Sequence, residues 1–152
     1  MFTLTQLGNG FFLIPLIVVS ILIFDRKNAL LILVISLITI FLGGIVVHIL
    51  KELIQRPRPL SQFMDMNIYG QKLYVGSFPS GHSQTAFSTA AVLSGYYKKW
   101  LLFYLLAFLV AFSRVYIGVH YPLDIVAGSM IGYLSAKLIL IISQRLDFKK
   151  AS

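Results

Sequence analysis

Three short stretches set nucleophilic, acidic and cationic side chains into an otherwise apolar chain: Lys51-x6-Arg58-Pro59, Pro79-Ser80-Gly81-His82 and Ser113-Arg114-x5-His120-x3-Asp124. Titratable groups buried near a membrane are costly unless they are paired or put to use, so each needs a partner or a role. A neutral imidazole with a free lone pair is a competent nucleophile toward phosphorus. A carboxylate that holds its other N–H fixes that tautomer. His120 and Asp124 lie four residues apart, and Pro122 between them suits the first position of a helix. That arrangement can bring Asp124 back beneath His120, making His120 a candidate nucleophile and Asp124 its orienter. The plainer alternative is a loop histidine beside a helix-capping aspartate.

Ser80 followed by Gly81 fits a helix start, where free N–H groups and the positive end of the dipole suit an anion. His82 would sit on the first turn, placed to protonate a leaving oxygen as general acid. An ordinary N-cap would look the same on its own. Lys51, Arg58 and Arg114 can neutralise charge that grows on three phosphoryl oxygens. Lys51 also fits a lysine snorkelling from a span end. Arg114 interrupts an apolar helix end and is harder to explain away. Spacing alone does not say whether Arg56 or Arg58 faces the phosphate. His48, one turn before Lys51 inside a span, is expected to pack rather than react.

The elements that position these residues are apolar. Of 152 residues, 58% are hydrophobic and 12% charged, against about 25% charged in an ordinary soluble domain. Mean hydropathy is +0.85. There is no cysteine, which excludes disulfides, a thiolate nucleophile and zinc–thiolate chemistry. Net charge is +8, with 13 Lys and Arg against 5 Asp and Glu. The cations fall in short runs between apolar stretches, which suits membrane topology better than nucleic acid.

Five spans are expected, within one membrane-embedded domain covering 1–152. The first runs from about Leu4 to Phe24, closed by an Asp25–Asn28 turn, and no removable signal peptide is expected. Ala29 to Leu50 is the clearest span, twenty-two uncharged residues or about 33 Å of helix against a bilayer core of about 30 Å. Lys51 to Pro79 reads as a long loop, with Ser61 to Phe78 at the lipid interface. A third helix runs from Ser80 or Gly81 to about Tyr97, a fourth from Trp100 to about Tyr116, and a fifth from Pro122 to about Ser143. Gly128, Ser129, Gly132 and Ser135 suit close helix contacts in the fifth. With five spans, Arg26-Lys27, Lys98-Lys99 and Arg145, Lys149, Lys150 share one side, cytoplasmic by the positive-inside rule. Every candidate site residue then lies on the other side, making the long loop extracytoplasmic.

Taken together and in this order, the three stretches strongly resemble the signature of the type-2 phosphatidic acid phosphatase superfamily: K-x6-R-P, P-S-G-H and S-R-x5-H-x3-D. Every signature position is matched. The resemblance implies an all-α integral membrane bundle that removes phosphate from a lipid phosphate or pyrophosphate. Candidate substrates are undecaprenyl pyrophosphate, phosphatidylglycerol phosphate and lipid A 1-phosphate. It further implies that Lys51, Arg58, Ser80, Gly81, His82 and Arg114 bind phosphate, with Arg58 rather than Arg56 in the cradle. His120 would form a phosphohistidine, His82 would protonate the leaving group and Asp124 would hold His120, with no metal or other cofactor. A bacterial inner-membrane enzyme with its site facing the periplasm is expected, acting in the bilayer and with no nucleic-acid partner. Integral members of the family have six spans, and the one without a counterpart here would precede Met1. The similar site of vanadate-dependent haloperoxidases is a second reading, opposed by the apolar spans. A non-enzymatic transport or assembly subunit is a third, and it gives no reason for all three motifs.

Overall fold

The computed structural model describes residues 28–62, 75–97 and 99–151, and within these it contains four α-helices, one 3-10 turn and no strand. The expected first span and most of the Ser61 to Phe78 loop lie outside the described residues. Helix α1 covers Ala29–Ile54, one turn beyond the expected end at Leu50. Lys51, Glu52 and Leu53 are good helix formers and carry it on. It stops where Gln55 turns left-handed at φ 44 and donates its N–H to Lys51 O at 3.0 Å. Pro57 and Pro59 then bar a return to helix. A 3-10 turn, Pro59–Gln62, follows.

Helix α2, Gly81–Tyr96, starts where expected, with Ser80 as N-cap accepting from Ser83 N–H at 3.4 Å. Helix α3 covers Trp100–Tyr116. Helix α4 covers Pro122–Ala151, two turns beyond the expected end at Ser143. Neither glycine nor proline occurs between Gln144 and Ala151, so nothing local stops it.

The packing is that of a bundle turned inside out. Helix α2 is central and touches α1, α3 and α4. Most of its buried residues are small or polar, among them Ser83, Gln84, Ser88 and Ala90, with Val92 and Leu93 the apolar exceptions. Glycines on the neighbours let backbones approach it. A Cβ at Gly128 would lie 2.3 Å from Ser80 O, and one at Gly132 would lie 2.2 Å from Gln84 O. Large apolar side chains instead point outward, including Phe41, Leu101 and Leu134. That polarity suits lipid around the bundle rather than water. By length and composition α1 and α4 can cross a membrane, while α3 is apolar but shorter.

The helices bring four termini to one end: the C-terminal turns of α1 and α3 and the N-terminal turns of α2 and α4. Cross-links hold that end together. Ser80 N–H donates to Asp124 O at 3.0 Å, and Leu60 N–H donates to Gly118 O at 3.0 Å. Gly118 has φ +74, a left-handed turn between α3 and α4 that favours glycine.

Candidate active site

Each cation of the cluster is delivered by a different element. Lys51 comes from the last turn of α1, and its Nζ donates to the Gly76 carbonyl. Arg58 comes from the extended link after α1. Its guanidinium reaches the same carbonyl at 3.4 Å, Val75 O at 3.4 Å and Val119 O at 3.3 Å. Arg114 comes from the last turn of α3 and is buried, with its Nε lacking any hydrogen-bond partner among the described residues. An unsatisfied buried guanidinium N–H is costly, and an anion is the partner that would relieve it.

The N-terminus of α2 completes this wall. Ser80 is fully buried and its Oγ also accepts from Ser83 Oγ at 3.0 Å. A Cβ added at Gly81 would meet only Val47 Cγ1, at an ordinary 3.8 Å. Protein packing therefore does not require glycine there, and the open space beside the helix start is available to a ligand. His82 on that first turn lies within electrostatic reach of Arg114, His120, Arg58 and Lys51.

His120 sits in the turn between α3 and α4, 3% exposed. Its Nδ1 lies 2.7 Å from the carbonyl oxygen of Ser77. A carbonyl can only accept, so Nδ1 carries the proton and the neutral ring keeps its lone pair on Nε2. Burial holds the ring's pKa below the usual 6.5, helped by Arg58, Lys51 and Arg114 and opposed by Asp124. The imidazole is thus kept in its nucleophilic form.

Asp124 is fully buried on the first turn of α4. Its Oδ2 stands 3.6 Å from His120 Nδ1, beyond hydrogen-bond length, so it backs the ring without taking the proton that the spacing alone suggested. The same oxygen accepts from Tyr121 N–H at 2.8 Å and from the hydroxyl of Ser77, and Oδ1 accepts from Arg56 Nη1 at 2.8 Å. The structure therefore brings Lys51, Arg58, Ser80, Gly81, His82, Arg114, His120 and Asp124 to one end of the bundle. It parts the two neighbouring arginines, Arg58 toward Lys51 and Arg56 toward Asp124. His48, expected to pack rather than react, is exposed on α1. Ser77 was missed entirely, because it contributes a backbone carbonyl that no motif can announce.

An imidazole backed by a carboxylate, faced by three cations and a helix N-terminus, on an all-helical apolar bundle, is an arrangement suited to a phosphoryl group. The chain belongs to the PAP2 superfamily, whose family model matches residues 30–148. The solved structure of Aquifex aeolicus LpxE matches with a TM-score of 0.75 at 34% identity, covering 91% of this chain and 81% of that one. The transmembrane PAP2-type phosphatidylglycerolphosphate phosphatase from Bacillus subtilis matches with a TM-score of 0.70 at 31% identity, covering 95% of this chain and 75% of that one. The undecaprenyl-diphosphatase of Sulfolobus acidocaldarius is 36% identical over 134 residues, covering 85% of this chain and 62% of the relative. The chain thus spans less than two thirds of that relative's length. With these relatives and its outward-facing apolar helices, it is a membrane protein.

Proposed function

We propose that the protein is an integral membrane phosphatase acting on the phosphate or diphosphate headgroup of a lipid. The observation that carries this reading is His120, held in its Nδ1–H tautomer by the Ser77 carbonyl and kept neutral by burial beside Lys51, Arg58 and Arg114. Those three cations, with the N–H groups at Ser80 and Gly81, would cradle the phosphoryl oxygens. His120 Nε2 attacks phosphorus and the P–O bond to the lipid breaks. Its electron pair stays on the leaving oxygen, which takes a proton from His82. Water, losing a proton to His82, then cleaves the N–P bond and releases inorganic phosphate. Asp124 stabilises the positive charge His120 bears in the intermediate. This covalent route needs no metal, because the cradle itself supplies the neutralising charge.

With five spans, Arg26-Lys27, Lys98-Lys99 and Arg145, Lys149, Lys150 would share the cytoplasmic face. The site then opens on the extracytoplasmic side of a bacterial inner membrane. Substrates in keeping with the relatives' names are undecaprenyl diphosphate and phosphatidylglycerol phosphate, and lipid A 1-phosphate presents the same chemistry. The test is phosphate release in detergent micelles containing EDTA, wild type against His120→Ala, from these three lipids. Release by wild type and a loss of about 10^4-fold or more in the variant is expected. Release at the wild-type rate by His120→Ala overturns the mechanism, and no release from any lipid by folded wild type overturns the substrate class.

A further inference from the structure

Arg56 falls at one of the unspecified positions of the first motif, yet it makes the shortest ion pair among the described residues of the site. Its Nη1 meets Asp124 Oδ1 at 2.8 Å, with Asp124 fully buried and Arg56 one-third exposed. Its guanidinium carbon sits 4.0 Å over the ring of Tyr121, the residue whose N–H binds the other Asp124 oxygen. The main chain closes a circuit. Ser77 N–H donates to Arg56 O at 3.0 Å, Ser77 Oγ donates to Asp124 Oδ2, and Asp124 Oδ1 accepts from the Arg56 side chain. The imidazole of His120 hangs from this ring by Nδ1, donating to Ser77 O at 2.7 Å.

We propose that Arg56 is a positioning residue for His120, locking Asp124 and Ser77 into the ring that holds the nucleophile. The inference rests on the phosphatase reading for its kinetics, and it differs from a role in binding phosphate. An isolated exposed pair of this kind is worth little. Here, however, one partner is buried, and removing Arg56 takes away the one cation hydrogen-bonded to Asp124 among the described residues. Two consequences follow. The ring loses its hold on Asp124, which lowers kcat rather than raising KM. The unbalanced carboxylate also favours the imidazolium, so His120 titrates at higher pH. The charged and titratable groups facing His120 are Lys51 on α1, Arg56 and Arg58 on the link, His82 on α2, Arg114 on α3 and Asp124 on α4. Arg56 is not among the groups that act on the ring directly, so its charge reaches His120 through Asp124.

The experiment is a double-mutant cycle of Arg56→Ala and Asp124→Asn, run beside Arg56→Lys and a histidine-selective NMR titration in micelles, with His120 assigned by its loss in His120→Ala. Expected is a fall in kcat of about tenfold for Arg56→Ala with KM within about twofold, shrinking to under about twofold in the Asp124→Asn background. The His120 titration should rise by about half a unit or more in Arg56→Ala. Arg56→Lys, which keeps the charge, should restore that titration and most of kcat. A raised KM with unchanged kcat would assign Arg56 to the ligand instead. Full multiplicativity with Asp124→Asn, or an unmoved His120 titration in folded Arg56→Ala, would overturn the proposal. If Arg56→Ala does not fold, Arg56→Gln takes its place in the cycle and in the titration. The titration needs no turnover, so failure of this inference and failure of the phosphatase reading are distinguishable.

Discussion

His120 and His82 stand in the same cluster of cations and are held in opposite ways. His120 is pinned: Nδ1 is tied to Ser77 O, and Asp124 lies behind it in a closed ring of hydrogen bonds. The ring of His82 makes no hydrogen bond among the described residues, although it rides on a rigid helix turn whose cap is buried. The difference matches the two tasks assigned to them. An in-line attack on phosphorus demands a fixed lone pair and a fixed tautomer. Proton delivery to a leaving oxygen, and later proton removal from water, calls for a group not committed to a fixed hydrogen bond. Rigidity is concentrated where the bond to phosphorus forms.

The sharpest way to break this comparison is to remove the free histidine. His82→Ala should lower kcat on a lipid phosphomonoester by about 10^2- to 10^4-fold. On nitrophenyl phosphate, whose phenolate departs without a proton, the same variant should stay within about tenfold of wild type. Rates on the two substrates give the answer directly. An equal loss on both would mean that His82 binds phosphate and does not serve as the acid.

A smaller effect is expected from Asp124→Asn, and the geometry says why. In a serine–histidine–aspartate triad the equivalent change costs about 10^4-fold because the imidazole adopts the wrong tautomer. Here the Ser77 carbonyl still takes the Nδ1 proton at 2.7 Å when Asp124 is neutralised. What is lost is charge stabilisation of the phosphorylated ring and the counter-ion of Arg56, which should cost about 10- to 100-fold in kcat. A loss near 10^4-fold would show that Asp124 alone orients His120 and that the Ser77 contact is incidental.

The Ser77 carbonyl also marks where sequence reasoning ran out. Helix α2 was legible from Pro79-Ser80-Gly81, and α3 from its aromatic start and polar ends, because caps and breakers leave local signatures. The gathering of eight site residues at one end was legible from alternating spans and motif order. The glycines at 128 and 132 were legible as contact points, since close helix approach needs small residues. Other features had no such signature. A backbone carbonyl acting on His120 depends on how residues 75–79 fold back over the site. Spacing left Arg56 and Arg58 open and the motif resemblance chose Arg58, but the bond from Arg56 to Asp124 joins residues 68 apart and has no local signature. The extra turns of α1 and α4 went unread because a loss of apolar character is not a helix stop.

The least effect, and the finest probe of how His120 is held, is the acid limb of the pH profile. Attack requires the neutral ring. Burial first, then Arg58, Lys51 and Arg114, push its pKa below 6.5, so protonation sets in only at lower pH than for a free imidazole. The sign is therefore fixed. The acid limb of kcat/KM, which reports the free enzyme, should have its midpoint below about 6.5. Replacing Arg58 by Gln removes one of these cations, so in whatever activity remains the midpoint should move upward, toward the ordinary imidazole value. Asp124→Asn should move it downward, because the carboxylate is the one group opposing the cations. Opposite shifts from the two variants would tie the limb to His120, the one ring that both Arg58 and Asp124 act upon. A limb that both variants move in the same direction would belong to another group, and His120 would not be the ring whose protonation limits attack.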